Sequence, residues 1–174
     1  SIDTRNGDYE KEIYLQNKSA SIGLSPQIYQ VCVNDSEHTA LIIMSKLDKT
    51  MDVVVKEVLL SETMDIDTKK IIILGLLKTA VEILQKLHYI GITHGDAHLQ
   101  NFMFNENAGR WQIIDFGLST ESAATVNEDF TKLFDMFYTK IGLGVGTDIF
   151  EGQSISELLG SEYFNFLEER RPTK

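Results

Sequence analysis

The chain has 174 residues, 43% hydrophobic and 24% charged, a composition that suits a soluble globular fold with a sizeable core. Its 26 acidic and 16 basic residues give a formal net charge of −10, the wrong sign for a surface that grips a phosphate backbone, so no nucleic-acid partner is expected. The longest apolar run, Ile71–Leu77, is too short to span a bilayer, no signal peptide opens the chain, and the single cysteine, Cys32, leaves no disulfide framework, so the expectation is an intracellular, cytoplasmic protein without a membrane partner.

In chain order, Tyr9, Ile13, Leu15 and Ala20 predict a short helix over residues 8–20, stopped by Gly23. Two β-rich runs, Gln27–Val33 and Thr39–Met44, flank the turn-forming Asn34-Asp35-Ser36 and predict a hairpin; Cys32, in the apolar run Ile28–Val33, is expected to be a buried thiol. Met51–Leu60 predicts a short helix. A long one follows, capped by Asp67 or Thr68, with Ile72, Ile73, Leu76, Leu77, Ala80, Val81, Leu84 and Leu87 at helical spacing until Gly91. Phe102–Phe104 and Trp111–Ile114 predict a second hairpin around residues 105–110, with Gly109 at the bend and Trp111 in the core. Glu128–Ile141 predicts another helix, ended by the glycine-rich 142–146. Ser154-Ile155-Ser156-Glu157 matches a capping box opening a helical tail. His38 and His88 read as surface positions with no role.

The chemistry is concentrated between His94 and Gly117. Asp96 and Asn101 share the loop His94-Gly95-Asp96-Ala97-His98-Leu99-Gln100-Asn101, and Asp115 follows the second hairpin in Ile113-Ile114-Asp115-Phe116-Gly117. Pairing of the hairpin strands would bring its two ends, and with them Asp96, Asn101 and Asp115, to one place. Three oxygen-bearing side chains there suit a hard cation such as magnesium, which shares its shell with substrate phosphates.

These residues resemble the catalytic loop and Asp-Phe-Gly motif of the protein-kinase-like superfamily, in which a loop Asp, an Asn five residues on, a hairpin and Asp-Phe-Gly follow one another. The His-Gly-Asp form, with Gly95 where Arg is usual, is similar to RIO-like and vaccinia-related kinases, and His98, two residues after the Asp, is similar to aminoglycoside and choline phosphotransferases. The resemblance implies an α+β, protein-kinase-like fold: residues 1–47 as a partial N-lobe and residues 48–174 as a mainly helical C-lobe. It implies a Ser/Thr protein kinase that uses ATP and Mg2+, with Asp96, Asn101 and Asp115 catalytic and Asn101 and Asp115 holding the metal. Glu12 (with Glu10 as the fallback) takes the place of the glutamate that pairs with the strand-three lysine, Met44 that of the gatekeeper, and Ser45-Lys46-Leu47 that of the hinge at adenine, so Glu12, Met44, Ser45 and Leu47 are expected at the nucleotide. Asp129 resembles the helix aspartate that braces the catalytic loop, and His94 is expected to brace it by hydrogen bonding.

The pattern also departs from the family. The resemblance begins near the C-helix, the Gly-rich loop and strand-three lysine are absent from residues 1–174, and no Ala-Pro-Glu follows Gly117. Three other readings stand beside the protein kinase: a small-molecule kinase, favoured by His98; a pseudokinase or structural protein; and a metal hydrolase built on His94-x-Asp96-x-His98.

Overall fold

The computed structural model describes residues 2–5, 8–122, 125–144, 149–150 and 152–160, with the backbone alone at 141–144 and 155. It mixes α and β. Helix α1 (Tyr9–Ala20) sits beside a three-stranded antiparallel sheet of order β1-β3-β2, formed by β1 (Ile2–Asp3), β2 (Ile28–Asn34) and β3 (Thr39–Met44). The rest is helical around one hairpin: α2 (Met51–Leu60), α3 (Ile66–Tyr89), a 3-10 turn at Leu99–Asn101, the hairpin β4 (Phe102–Asn105) and β5 (Arg110–Ile113), then α4 (Val126–Gly144) and α5 (Ile155–Leu159). Among the described residues no helix is long and apolar enough to cross a membrane.

Helix α1 ends as its sequence dictates. Gly23 takes a positive φ of 79°, and the Gly23 and Leu24 N–H groups donate back to Ala20 O at 3.0 Å and Ser19 O at 3.1 Å. The chain then runs alongside β5, where Ile113 N–H donates to Leu24 O at 2.8 Å and the buried Ser25 hydroxyl to Ile113 O at 2.7 Å. On α1 itself, Leu15 is fully buried and belongs with Leu24 to the same core cluster as the long helix. That core gathers Met51 and Val55 of α2, Ile73, Leu77, Leu84 and Leu87 of α3, Phe102 and Ile113 of the hairpin, and Leu133 and Phe137 of α4, all almost fully buried. Each such Leu, Ile or Phe contributes about 1.5–3 kcal/mol relative to exposure. Trp111 packs partly buried against this cluster, edge-on to Phe104 at 5.6 Å.

Several expectations are corrected. Cys32 is exposed. It pairs with Leu41 across the sheet, and Leu41 and its neighbour in register Ile43 are also 53% and 43% exposed, so this face carries no packed layer among the described residues. The cap of α3 is Asp65, not Asp67 or Thr68: Asp65 is extended and its carboxylate accepts the Thr68 N–H at 2.7 Å, which makes Thr68 the third helical residue. Helix α4 does not stop at Ile141 but continues through Gly144, so Gly142 and Gly144 lie within it; residues 145–148, the rest of the expected glycine loop, are outside the described residues. The capping box at Ser154 is present in both directions, and the tail beyond Gly160 is outside the described residues.

Candidate functional site

The β4–β5 hairpin sets the site's geometry. Phe102 pairs with Ile113, and one step beyond the ladder Ile114 N–H donates to Asn101 O at 2.9 Å, so the loop carrying Asp96 and Asn101 is joined by backbone to the residue before Asp115. A second seam closes the other side. Thr93 and Thr120 exchange backbone hydrogen bonds at 2.9 and 3.0 Å, and the buried Ser119 hydroxyl donates to His94 O at 2.6 Å. The segments on either side of residues 94–117 are thereby stitched to each other.

Within this frame Asp129, on the first turn of α4 and 1% exposed, holds the loop by its backbone. Its Oδ2 accepts the His94 N–H and its Oδ1 the Gly95 N–H, each at 2.8 Å, while His88 Nε2–H donates to the same Oδ2 at 2.7 Å. The bracing expected of Asp129 is therefore present. The reading of His88 as an idle surface residue is corrected: it is a largely buried partner of Asp129, edge-on to Phe130 at 5.1 Å. Gly95 has a steric reason to be glycine. Its φ is 84°, and a Cβ there would lie 2.3 Å from Leu118 O, so no side chain fits where the related pattern has arginine.

His94 is fully buried and, as expected, braces the loop. The neutral ring with its proton on Nε2 satisfies both contacts, donating to Ile114 O at 2.8 Å and accepting the Asp96 N–H on Nδ1 at 3.1 Å. Burial pushes its pKa below the ordinary value, against the opposing pull of the Ile114 carbonyl and the nearby carboxylates. A depressed folded-state value means that protonation favours unfolding, so this stability is present above the unfolded pKa of about 6.5 and is lost as pH falls below it. We therefore expect stability to fall as pH drops below about 6.5, the slope steepening toward about 1.4 kcal/mol per pH unit as the unfolded histidine becomes fully protonated, and His94→Gln to flatten that slope in urea titrations at pH 7, 6 and 5.

Asp96 is gripped on both oxygens. Oδ1 accepts from Lys132 Nζ at 2.6 Å; Oδ2 faces Asn101 Nδ2 and His98 Nε2, each at 3.3 Å. Burial pushes its pKa up, but the Lys132 ammonium, with His98 and Asn101, more than offsets this and leaves it low, so Asp96 is an ionised carboxylate at neutral pH. Lys132 was not foreseen from the sequence, since it lies thirty-six residues away with no motif around it. Asn101 is 5% exposed and commits its amide nitrogen to Asp96 O at 2.8 Å, which leaves Oδ1 as the atom that could ligate a cation. His98 Nδ1 is buried with no hydrogen-bond partner among the described residues.

Asp115 takes the left-handed conformation, φ 65°, uncommon outside glycine and a form of strain that gathers at functional sites. It faces Glu12 of α1. Burial raises the Glu12 pKa and the Asp115 carboxylate raises it further. Gly117 keeps the space between them open, because a Cβ there would sit 3.3 Å from Asp115 Oδ1 and 3.6 Å from Glu12 Oε2. One turn along α1, Gln16 donates to Met44 Sδ at 3.6 Å and to Pro26 O at 3.1 Å, which places Met44 beside the same helix as Glu12. Ser45 N–H donates to Gln27 O at 3.1 Å and its hydroxyl meets Tyr29 at 2.9 Å; just after the half-buried Leu47, Asp48 N–H donates to Phe104 O at 2.9 Å. The stretch Met44–Leu47 thus runs from the sheet to the hairpin that presents Asp115.

The donor set fits a hard divalent cation. Asp115 and Asn101 offer oxygen atoms, and the cradle kept open at Gly117 brings two mutually repelling carboxylates, Asp115 and Glu12, within reach of one positive charge. A transition-metal cluster does not fit. Among the described residues no three His, Cys, Asp or Glu side chains gather to hold a metal, and His94 turns into the core, away from the expected triad with Asp96 and His98.

No protein-family model matches the chain. Over 44 residues, 25% of its length, it is 39% identical to a protein described as a probable serine/threonine-protein kinase, fnkB, of Dictyostelium discoideum, and the matched stretch spans 8% of that protein. The likeness is to a kinase and covers a part of each chain.

Proposed function

We propose that this chain is the catalytic part of an ATP-dependent phosphotransferase with a protein-kinase-like fold, residues 1–47 forming a partial N-lobe and 48–174 a C-lobe, and that its acceptor is a Ser/Thr hydroxyl of a protein. The observation that carries the reading is the junction Asn101–Ile114, which sets the Asp96–Asn101 loop against Asp115 while Asp129 fixes that loop from behind. The partial likeness to a Ser/Thr kinase supports the same class. Asn101 Oδ1 and Asp115 would hold Mg2+, which when bound neutralises phosphate charge. Asp96 accepts the proton of the acceptor hydroxyl as its oxygen bonds to the γ-phosphorus; the bond from that phosphorus to the bridging β–γ oxygen breaks and ADP leaves. Met44, Ser45 and Leu47 would line the adenine and Glu12 would face the phosphate side. Gln16, one turn after Glu12 on α1, donates to Met44.

The test is transfer of labelled γ-phosphate from Mg-ATP by the full-length protein to a generic acceptor protein, run beside a panel of amino sugars and choline. Label on Ser or Thr supports the reading. Label on the small molecules alone would replace the acceptor class, as His98 beside Asp96 would favour, and no label on either would favour the pseudokinase or structural reading.

A further inference from the structure

Asp129 and Lys132 lie three residues apart on α4 and so share one face of the helix. The first binds the backbone of residues 94 and 95, the second the side chain of Asp96, so one helical turn grips three consecutive loop residues. The two oxygens of Asp96 have separate partners: Lys132 on Oδ1, Asn101 and His98 on Oδ2. An arrangement of this kind fixes the plane of the carboxylate. Lys132 is 37% exposed, and an ion pair that open contributes little to folding, so the contact is poorly explained as a structural one. Lys132 also lines a shallow groove of about 320 Å³ on α4, with Glu128, Thr131, Asp135 and Met136.

We infer that Lys132 is a positioning residue for phosphoryl transfer, aiming Asp96 at an acceptor hydroxyl that enters over the α4 groove. This rests on the phosphotransferase reading above. It separates the acceptor side, held by Lys132, from the nucleotide side, held by Asn101 and Asp115. The ammonium keeps Asp96 in one rotamer until the acceptor arrives.

The experiment is steady-state phosphotransfer by the full-length protein, wild type against Lys132→Met, which keeps the stem and removes the charge, and Lys132→Arg, which keeps the charge, with Tm measured on each. Lys132→Met is expected to lower kcat about 10- to 100-fold, the scale of a misplaced catalytic group, with KM for Mg-ATP within about twofold and Tm unchanged. Lys132→Arg is expected to recover most of that loss. Equal kcat in Lys132→Met and wild type, a loss confined to KM for Mg-ATP, or a parallel fall in Tm and kcat would overturn the inference while leaving the phosphotransferase reading in place. A wild type with neither transfer nor nucleotide-induced stabilisation overturns both.

Discussion

Asp129→Ala is expected to destabilise the folded chain by about 3–5 kcal/mol, a large share of the about 5–15 kcal/mol that holds a typical domain. The carboxylate is 1% exposed and accepts from the N–H groups of His94 and Gly95 and from His88. Removing it leaves buried donors without acceptors, each costing about 1–3 kcal/mol. Gly95 cannot adapt, because its left-handed backbone already sits against Leu118 O. Asp129→Asn, which keeps one accepting oxygen but turns an amide N–H toward other donors, should fall in between. Urea unfolding checks both, read as a lower midpoint at unchanged slope. A cost under about 1 kcal/mol for the alanine variant would mean the loop is held elsewhere.

Asp96→Asn should reduce phosphotransfer about 10²- to 10⁴-fold, the usual range for losing a positioned general base. The substitution keeps the side chain's shape and the loop's backbone bonds, notably Asp96 N–H to His94 Nδ1 and Asp96 O to Asn101 Nδ2, so the protein should remain folded. It exchanges an acceptor facing the Lys132 ammonium for a neutral amide, and the pKa-lowering cation then has no carboxylate to act on. Initial rates with Mg-ATP and Tm measured together separate lost chemistry from lost fold. Wild-type turnover in a folded Asp96→Asn protein would remove Asp96 from the proposed proton path.

What the sequence made legible was local. The helix over Met51–Leu60, both hairpins and the capping box at Ser154 were each set by residues within one turn or one bend of one another, and all are present. The loop Asp96–Asn101 and the motif at Asp115 were legible for the same reason, and the hairpin between them needed only its strand register to bring their backbones together. The partners that come from afar were not. His88 and Lys132 reach Asp129 and Asp96 across forty-one and thirty-six residues, and at either position helical periodicity reports a polar face, not what that face meets. Cys32 failed for a related reason. An apolar strand says that a side chain could be covered, but whether a layer covers that face depends on the tertiary arrangement. At the start of α3 three capping residues stand within four positions, and only the extended backbone at Asp65 distinguishes the true cap from Asp67 and Thr68.

The proposed phosphotransferase depends on Asn101 and Asp115, whose loops the hairpin joins through the backbone, holding a divalent cation on a nucleotide's phosphates. Thermal unfolding of the full-length protein with and without Mg-ATP tests it most directly, comparing wild type with Asp115→Ala. At a ligand concentration a hundredfold above Kd, a binding-competent wild type should gain about 2.7 kcal/mol, seen as a raised Tm that requires both magnesium and ATP. Asp115→Ala should show none of that gain. Equal Tm shifts in the two proteins would remove Asp115 from the metal site.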